Sequence, residues 1–347
     1  MSKKITIQQI ADAVGVSKFA VSKALSGKSG VSQALREKII QTAHQMGYKS
    51  QKIQSEVRDR RAESASEGRD DKRFVAVLFP NVRYQIKESL YWGKVLDGVV
   101  RGLQDHRFGM ITITEHTIDN FAKIIDPKDL LGIIGIGWAS TSLLLEVRGT
   151  DTPFVLVDHE DAVIDSDTLF INNFDCMKKM THYLLGLGHR KMQFIGNIQF
   201  SRSFSDRWIG YRTALEESEV PVQQSEELLK LNGEAFDVIL DVLTRKFNEG
   251  DMPTALVCAN DAIALMVMDV LKHMNLRVPQ DCSVTGFDNN ENTLESGLTT
   301  INVTKEILGL RAVQTLLWRL DNPDFPIEKI LLSGDLMIRA STAASSR

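Results

Sequence analysis

The chain has 347 residues, of which 43% are hydrophobic and 25% charged, an ordinary globular composition long enough for two or three cores. No apolar run approaches the ~20 residues that would cross a bilayer, and Met1-Ser2-Lys3-Lys4 leads into no signal-like apolar block. A cytoplasmic protein with no membrane partner is therefore expected.

The net charge of −4 hides an asymmetry. Residues 1–50 carry eight Lys/Arg against Asp12 and Glu37, residues 51–73 nearly balance, and the remainder is strongly acidic. A basic head on an acidic body suits a head that meets phosphate.

The head reads as three short helices. Thr6-Ile7-Gln8-Gln9 fits a capping box, after which Ile7, Ile10, Ala11 and Val14 share one helical face. Gly15 stands where the chain must turn, and Ser17 caps a second helix with Phe19, Ala20, Val21, Ala24 and Leu25 as its apolar members. Ser32 caps a third, with Leu35, Ile39, Ala43 and Met46 facing inward. This is the spacing of a helix-turn-helix: a small residue where helices cross, a turn tolerant of positive φ, and a second helix with one face left for the major groove. Lys18, Phe19, Ser22 and Lys23 face outward in this reading. Lys23 would donate to guanine, Phe19 would meet a thymine methyl, and Ser17 and Ser22 would hold phosphates.

Residues 51–73 contain few apolar side chains and read as a charged linker. From Phe74 onward β-branched runs alternate with helical ones. Expected strands are Phe74–Phe79, Met110–Thr114, Ile133–Trp138, Phe154–Asp158, Met192–Gly196, Thr254–Ala259 and Ser283–Phe287. Between them lie expected helical runs such as Tyr91–Gln104, Met177–Leu187, Trp208–Glu217, Phe236–Phe247 and Ala262–Met274. The fold class is thus α/β, an all-α headpiece followed by two lobes of parallel sheet flanked by helices.

Ligands of such sheets sit beyond strand C-termini. Asp158, Asn260, Asp261 and Asp288 follow expected strands, and Arg207 opens a helix. These side chains suit vicinal hydroxyls because each makes two directed hydrogen bonds. Tyr91, Trp92, Trp138 and Phe174 are candidates for an opposite aromatic wall, with Trp138 and Phe174 equally suited to the core. Asp261 reads more readily as a helix N-cap than as a ligand. Cys176, Cys258 and Cys282 are expected to be reduced core residues. No nucleophile–base pair, phosphate loop or metal spacing stands out, so no enzyme activity, cofactor or metal is expected.

Residues 6–48 resemble the headpiece of the lactose-repressor/galactose-repressor family. The resemblance rests on Thr6-Ile7-x-x-Ile10-Ala11, Gly15-Val16-Ser17, Val21-Ser22-Lys23-x-Leu25-Ser26-Gly27, Val31-Ser32, Arg36-x-x-Ile39 and Gly47-Tyr48. It continues through Thr152–Asp158, Leu187-Gly188-His189-Arg190-Lys191, Arg207-x-x-Gly210-Tyr211, Ala259-Asn260-Asp261, Val278–Asp288, Leu298–Ile301 and Arg339-x-Ser341-Thr342.

The resemblance implies a body with the fold of type I periplasmic sugar-binding proteins. It implies a homodimer on a roughly palindromic double-stranded DNA operator, and effector contacts at Arg207, Asn260 and Asp288. Expected boundaries are 1–50 for the headpiece, 51–73 for the linker and 74–347 for the effector and dimerisation domain. Lobe one spans about 74–173 and 303–333, and lobe two about 174–302 and 334–347.

The candidate DNA contacts are Thr6, Ser17, Lys18, Phe19, Ser22, Lys23, Ser26, Ser32 and Tyr48, with Ile53 and Val57 in the hinge. The candidate effector contacts are Tyr91, Trp92, Asp158, Arg207, Asn260 and Asp288. Where the family carries a hinge resembling Y-x-x-N-x-x-A-x-x-L, this chain has Tyr48, Gln51, Gln54 and Val57. The bulkier Gln54 and smaller Val57 argue against a stable hinge helix and a sharp DNA kink. Residues 84–88 form a second departure, replacing a short family loop. The end shortly after Thr342 favours a dimer over a tetramer.

The expected function is a repressor controlled by a small molecule, most readily a sugar. The alternatives are a purine- or phosphoprotein-responsive regulator of the same family, or a non-enzymatic sugar-binding protein.

Overall fold

A computed structural model describes residues 6–25, 31–32, 35–36, 38–39, 42–43, 74–79, 90–114 and 126–345. The chain divides into two units, Met1–Asp71 and Lys72–Arg347. The expected linker, with hinge residues Ile53 and Val57, lies outside the described residues, as do Ser26 and Tyr48.

In the first unit α1 spans Ile7–Val14 and α2 spans Lys18–Leu25. Both capping-box bonds form: Gln9 N–H donates to Thr6 Oγ1 at 3.4 Å, and Thr6 N–H donates to Gln9 Oε1 at 2.9 Å. Gly15 ends α1 at φ 76°, where only glycine is unstrained, and its N–H closes on the Ala11 carbonyl at 2.9 Å. Ser17 Oγ accepts from Ala20 N–H, and Ser32 Oγ accepts from Leu35 N–H. Ile10, Ala11, Val21, Ala24, Ile39 and Ala43 are buried together, with Ile7, Val14, Val16, Val31 and Leu35 packed around them.

The second unit contains two parallel sheets. Strands β1 (Phe74–Leu78), β2 (Gly109–Ile113), β3 (Leu130–Ile136), β4 (Phe154–Val157), β5 (Asp167–Ile171) and β10 (Lys329–Leu332) form a six-stranded sheet in the order β10-β5-β4-β3-β1-β2. Side chains divide between its two faces, with a register irregularity near the start of β3. Val75, Val77, Leu131 and Ile134 face one core with helices α3 (Leu90–Asp105) and α9 (Lys305–Asp321). Ala76, Leu78, Leu130 and Ile133 face another with α4 (Thr141–Arg148).

The smaller sheet pairs β6 (Met192–Ile195), β7 (Ala255–Cys258) and β8 (Ser283–Thr285). Helices α5 (Asn173–Gly186) and α6 (Arg202–Glu217) pack on one of its faces. Helices α7 (Ala235–Asn248) and α8 (Asp261–His273) pack on the other. β9 (Thr300–Asn302) and β11 (Asp335–Met337) form an antiparallel pair beside it.

The chain passes between the two sheets between β5 and α5, between β9 and α9, and between β10 and β11. These crossings are tied to one another. Asn172 N–H donates to the Leu332 carbonyl at 2.8 Å, Gly334 N–H meets Cys176 Sγ at 3.2 Å, and Asp335 pairs with Asn302.

Several elements were absent from the sequence reading. β9 and β11 are three residues each and rich in Thr, Asn and Asp, too short for a period to register. β5 begins on a buried Asp167, held by Arg319 at 2.7 and 2.8 Å, a partner 152 positions away. α4 and α9 also went unread. α5 and α6 begin earlier than expected because Asn172 and Ser201 cap them. All three cysteines are free and buried, as expected.

Candidate functional site

On the first unit, α2 follows α1 after the three-residue turn Gly15–Ser17. Its inward residues Val21 and Ala24 are fully buried, while Lys18 and Ser22 are exposed and Phe19 is 69% exposed. The exposed Phe19 ring is left available to an apolar partner surface. Lys23 is half-buried, with its ammonium 4.8 Å from the Phe19 ring centroid. The two residues expected to read bases thus form one cation–aromatic feature. Thr6, Ser17 and Ser32 are exposed at helix starts, where their hydroxyls also serve as caps.

In the second unit strand ends build a charged cluster. Asp158 follows β4 at φ 55° and Asp288 lies beyond β8 at φ 109°, left-handed backbone that non-glycine residues adopt at a cost. Asp158 N–H is held by the Leu169 carbonyl, and Asp288 N–H by the Ile301 carbonyl. Ser203 and Arg207 are one helical turn apart near the start of α6, so both face the same way. Ser203 hydroxyl donates to Asp158, joining the helix beside the small sheet to the large sheet.

Arg207 is 4% exposed and its three nitrogens all donate. Nε donates to Asn173 Oδ1 at 2.8 Å, Nη1 to the Ala259 carbonyl at 2.7 Å, and Nη2 to Asp288 Oδ1 at 3.4 Å. The guanidinium carbon lies 3.7 Å from the Phe287 ring centroid. Lys305, at the start of α9, is 3% exposed. Its ammonium donates to the Asp288 carbonyl and lies 5.6 Å from the Tyr91 ring centroid.

Burial pushes the Asp158 carboxyl up to about 6, against the Ser203 hydrogen bond and the Arg207 charge. Burial also raises Asp261 and Asp288. Asp288 adds to the rise of Asp261, while Arg207 and Lys305 restrain Asp288. Burial lowers Lys305, and it raises the Tyr91 hydroxyl, which also feels Asp158 and Asp288.

The structure therefore brings Tyr91, Asp158, Arg207 and Asp288 together. Trp92 joins through an edge contact to Tyr91 at 4.9 Å. The cap assignment is corrected: Asn260, not Asp261, caps α8, its Oδ1 accepting from Ile263 N–H at 2.9 Å. Asp261 is 1% exposed and accepts from Thr300 Oγ1 at 2.6 Å and Asn290 N–H at 2.7 Å. It sits at the first helical position because its carboxylate reaches across to the β8–β9 loop. Trp138 is exposed rather than core, stacked edgewise on His159 at 6.5 Å. Phe174 is half-buried with Lys178 over its ring.

Sequence reading missed Asn173, Ser203 and Lys305. A helix-start Asn or Ser reads as a cap, and a lysine at a helix start reads as solvated. No local signal distinguishes them.

Residues 6–51 match the family described as bacterial regulatory proteins, lacI family, and residues 181–342 match the periplasmic binding protein-like domain. The chain is 24% identical to the HTH-type transcriptional repressor PurR of Vibrio vulnificus, over 96% of this chain and 97% of that protein. It is 24% identical to the HTH-type transcriptional repressor CytR of Escherichia coli, over 98% and 96% respectively. The fold resembles the transcriptional regulator CelR–cellobiose complex, with TM-score 0.67, 20% identity and coverage of 97% and 100%. It also resembles the lac repressor dimer bound to operator and the anti-inducer ONPF, with TM-score 0.64, 20% identity and coverage of 99% and 100%.

Proposed function

The chain belongs to the lacI family of bacterial regulatory proteins, and from that premise we propose a repressor whose operator affinity is set by a small molecule held between the two sheets of its body. The headpiece comprises residues 1–50, the linker 51–73 and the effector domain 74–347. Within the effector domain, lobe one spans about 74–173 and 303–333, and lobe two about 174–302 and 334–347. Two copies place two headpieces on a roughly palindromic operator in the cytoplasm. Phosphate contacts supply most of the affinity, and Lys18, Phe19 and Lys23 supply base preference. Among the described residues no helix is long and apolar enough to cross a membrane. The role is regulatory rather than enzymatic, in keeping with the relatives named above.

One observation carries this reading. A helix with an exposed Phe19 beside Lys23 shares a chain with a buried Arg207–Asp288 cluster at strand ends. The first reads bases and the second holds a polar ligand. A sugar is favoured as effector because the cluster offers paired hydrogen-bonding groups beside aromatic rings, and because solved relatives include one with cellobiose and one with ribose. The effector must bind one closure state of the lobes better than the other, or nothing is switched.

Selection of binding sites from a random duplex library tests the reading. Purified protein should enrich a roughly two-fold symmetric sequence, and a compound that stabilises the body should change its affinity. Equal binding to all duplexes at moderate salt would overturn it.

A further inference from the structure

Granted that the charged cluster is the effector site, we propose that Arg339, near the end of the chain, is a positioning residue for it: through the Asn289 side chain it fixes the backbone that aims Asp288 at Arg207. Asp288 and Asn289 are consecutive residues in left-handed backbone, at φ 109° and 51°. Such backbone persists only where its surroundings over-determine it. Arg207 Nη2 stands 3.4 Å from Asp288 Oδ1, beyond the usual length of such a bond, so a small turn at this point parts them.

Asp288 is anchored on one side, its N–H on the Ile301 carbonyl at 2.9 Å and its own carbonyl on the Lys305 ammonium. Asn289 holds the other side. Its N–H donates to Thr300 Oγ1 at 3.3 Å and its Nδ2 to Asn302 Oδ1 at 2.9 Å. Its Oδ1 accepts from Arg339 Nη2 at 2.6 Å and faces Thr293 Oγ1 at 3.3 Å. The Thr293 hydroxyl has one hydrogen, and the Asn290 carbonyl takes it at 2.6 Å. Arg339 is therefore the donor that fixes the Asn289 side-chain oxygen. Its Nη1 also donates to Thr293 Oγ1 at 3.1 Å and to the Leu298 carbonyl at 2.8 Å. One planar guanidinium thus ties both ends of the loop between Asp288 and Thr299, which the point charge of a lysine does not do.

The closing segment is itself seated. Thr299 N–H donates to Ser341 Oγ at 2.8 Å, and that hydroxyl donates to the Val284 carbonyl at 2.6 Å. Ser341 N–H meets the Gly297 carbonyl at 3.0 Å, and the Ser341 carbonyl accepts from Val284 N–H at 2.9 Å. His189 Nε2 lies 3.0 Å from the Ala343 carbonyl. The strings Leu187–Lys191, Leu298–Ile301 and Arg339-x-Ser341-Thr342, far apart in the chain, meet at this segment.

The test uses the full-length protein without ligand. Urea unfolding at pH 7.5 is followed for Arg339→Ala in the wild-type and in the Asp288→Asn background. If Arg339 aims the carboxylate, its loss should lower the urea midpoint at least twice as much where Asp288 is charged, since only there does it part an ion pair. A residue that merely braces the closing segment gives equal drops, and equal drops overturn the inference. Hydrogen exchange read by mass spectrometry gives a second measure that needs no Asp288 variant. Arg339→Ala and Asn289→Ala should each speed exchange across residues 286–293 tenfold or more while residues 192–196 stay within twofold. The double variant should add nothing, and Arg339→Lys should restore part of the protection. A rise spread over the whole small sheet, no local rise, or a double variant faster than either single one overturns the inference. Operator selection separates the two failures. Loss of sequence preference in the wild-type protein removes the regulator reading and leaves the clamp standing, whereas equal midpoint drops with preference intact remove only the clamp.

Discussion

Asp158 combines two costs, left-handed backbone and a carboxylate drawn out of water, offset in part by a single hydrogen bond from Ser203. Its carboxyl, raised to about 6, sits above the unfolded value near 4, so the folded state prefers it protonated. The cost is present above pH 6 and vanishes as pH falls below about 4. Asp158→Asn keeps the acceptor for Ser203 and removes the charge. It should stabilise the ligand-free protein by about 1–3 kcal/mol at pH 7, a gain shrinking towards zero at pH 4. Urea unfolding of both proteins across that range measures it, and a gain independent of pH would refute the assignment. The same variant should respond poorly to effector, a trade of stability for function. On the headpiece, Phe19 is 69% exposed, so Phe19→Ala should leave stability within about 0.5 kcal/mol. It should nevertheless reduce operator discrimination by about 1–3 kcal/mol. Competition binding against single-base operator variants reads the loss.

Helices α3 and α9 meet through glycines. A Cβ on Gly309 would stand 1.9 Å from the Val95 carbonyl oxygen, and one on Gly98 would stand 1.9 Å from that of Glu306. Backbone cannot yield as a side-chain tip does, so Gly309→Ala must separate the helices. It should cost about 1–3 kcal/mol in chemical unfolding, the range for overpacking. Arg319→Ala should cost more, about 3–5 kcal/mol, because it leaves the buried Asp167 carboxylate without its bidentate partner. Neither close packing nor that ion pair was legible from the chain. What was legible was local: Thr6, Gly15 and Ser17 announce their helices by capping chemistry. Asp158, Asn260 and Asp288 stand out because each follows a short apolar run. Lys305 became a site residue only when the chain crossing placed α9 against Tyr91, and β9 and β11 exist only as each other's partner.

Across the whole molecule, the basic head and acidic body predict electrostatic operator binding. Raising salt from about 50 to 200 mM should weaken it by about 10³-fold if some six phosphates are contacted, and a fluorescence anisotropy titration gives the slope. A much flatter slope would mean that few of the head's cations reach phosphate. The three crossings between the sheets are bonded to one another, and the residues just beyond two of them, Asn173 and Lys305, hold Arg207 and Asp288. In the proposed regulator, turning one lobe on the other would retune the effector site directly, since the crossings and the charged cluster share neighbouring residues. A substitution in a crossing should act as a dial rather than a break. Gly334→Ala would press on Ile301 and the Asn302 carbonyl and bias the resting angle. It should move the half-saturating effector concentration while leaving the amplitude at saturation intact.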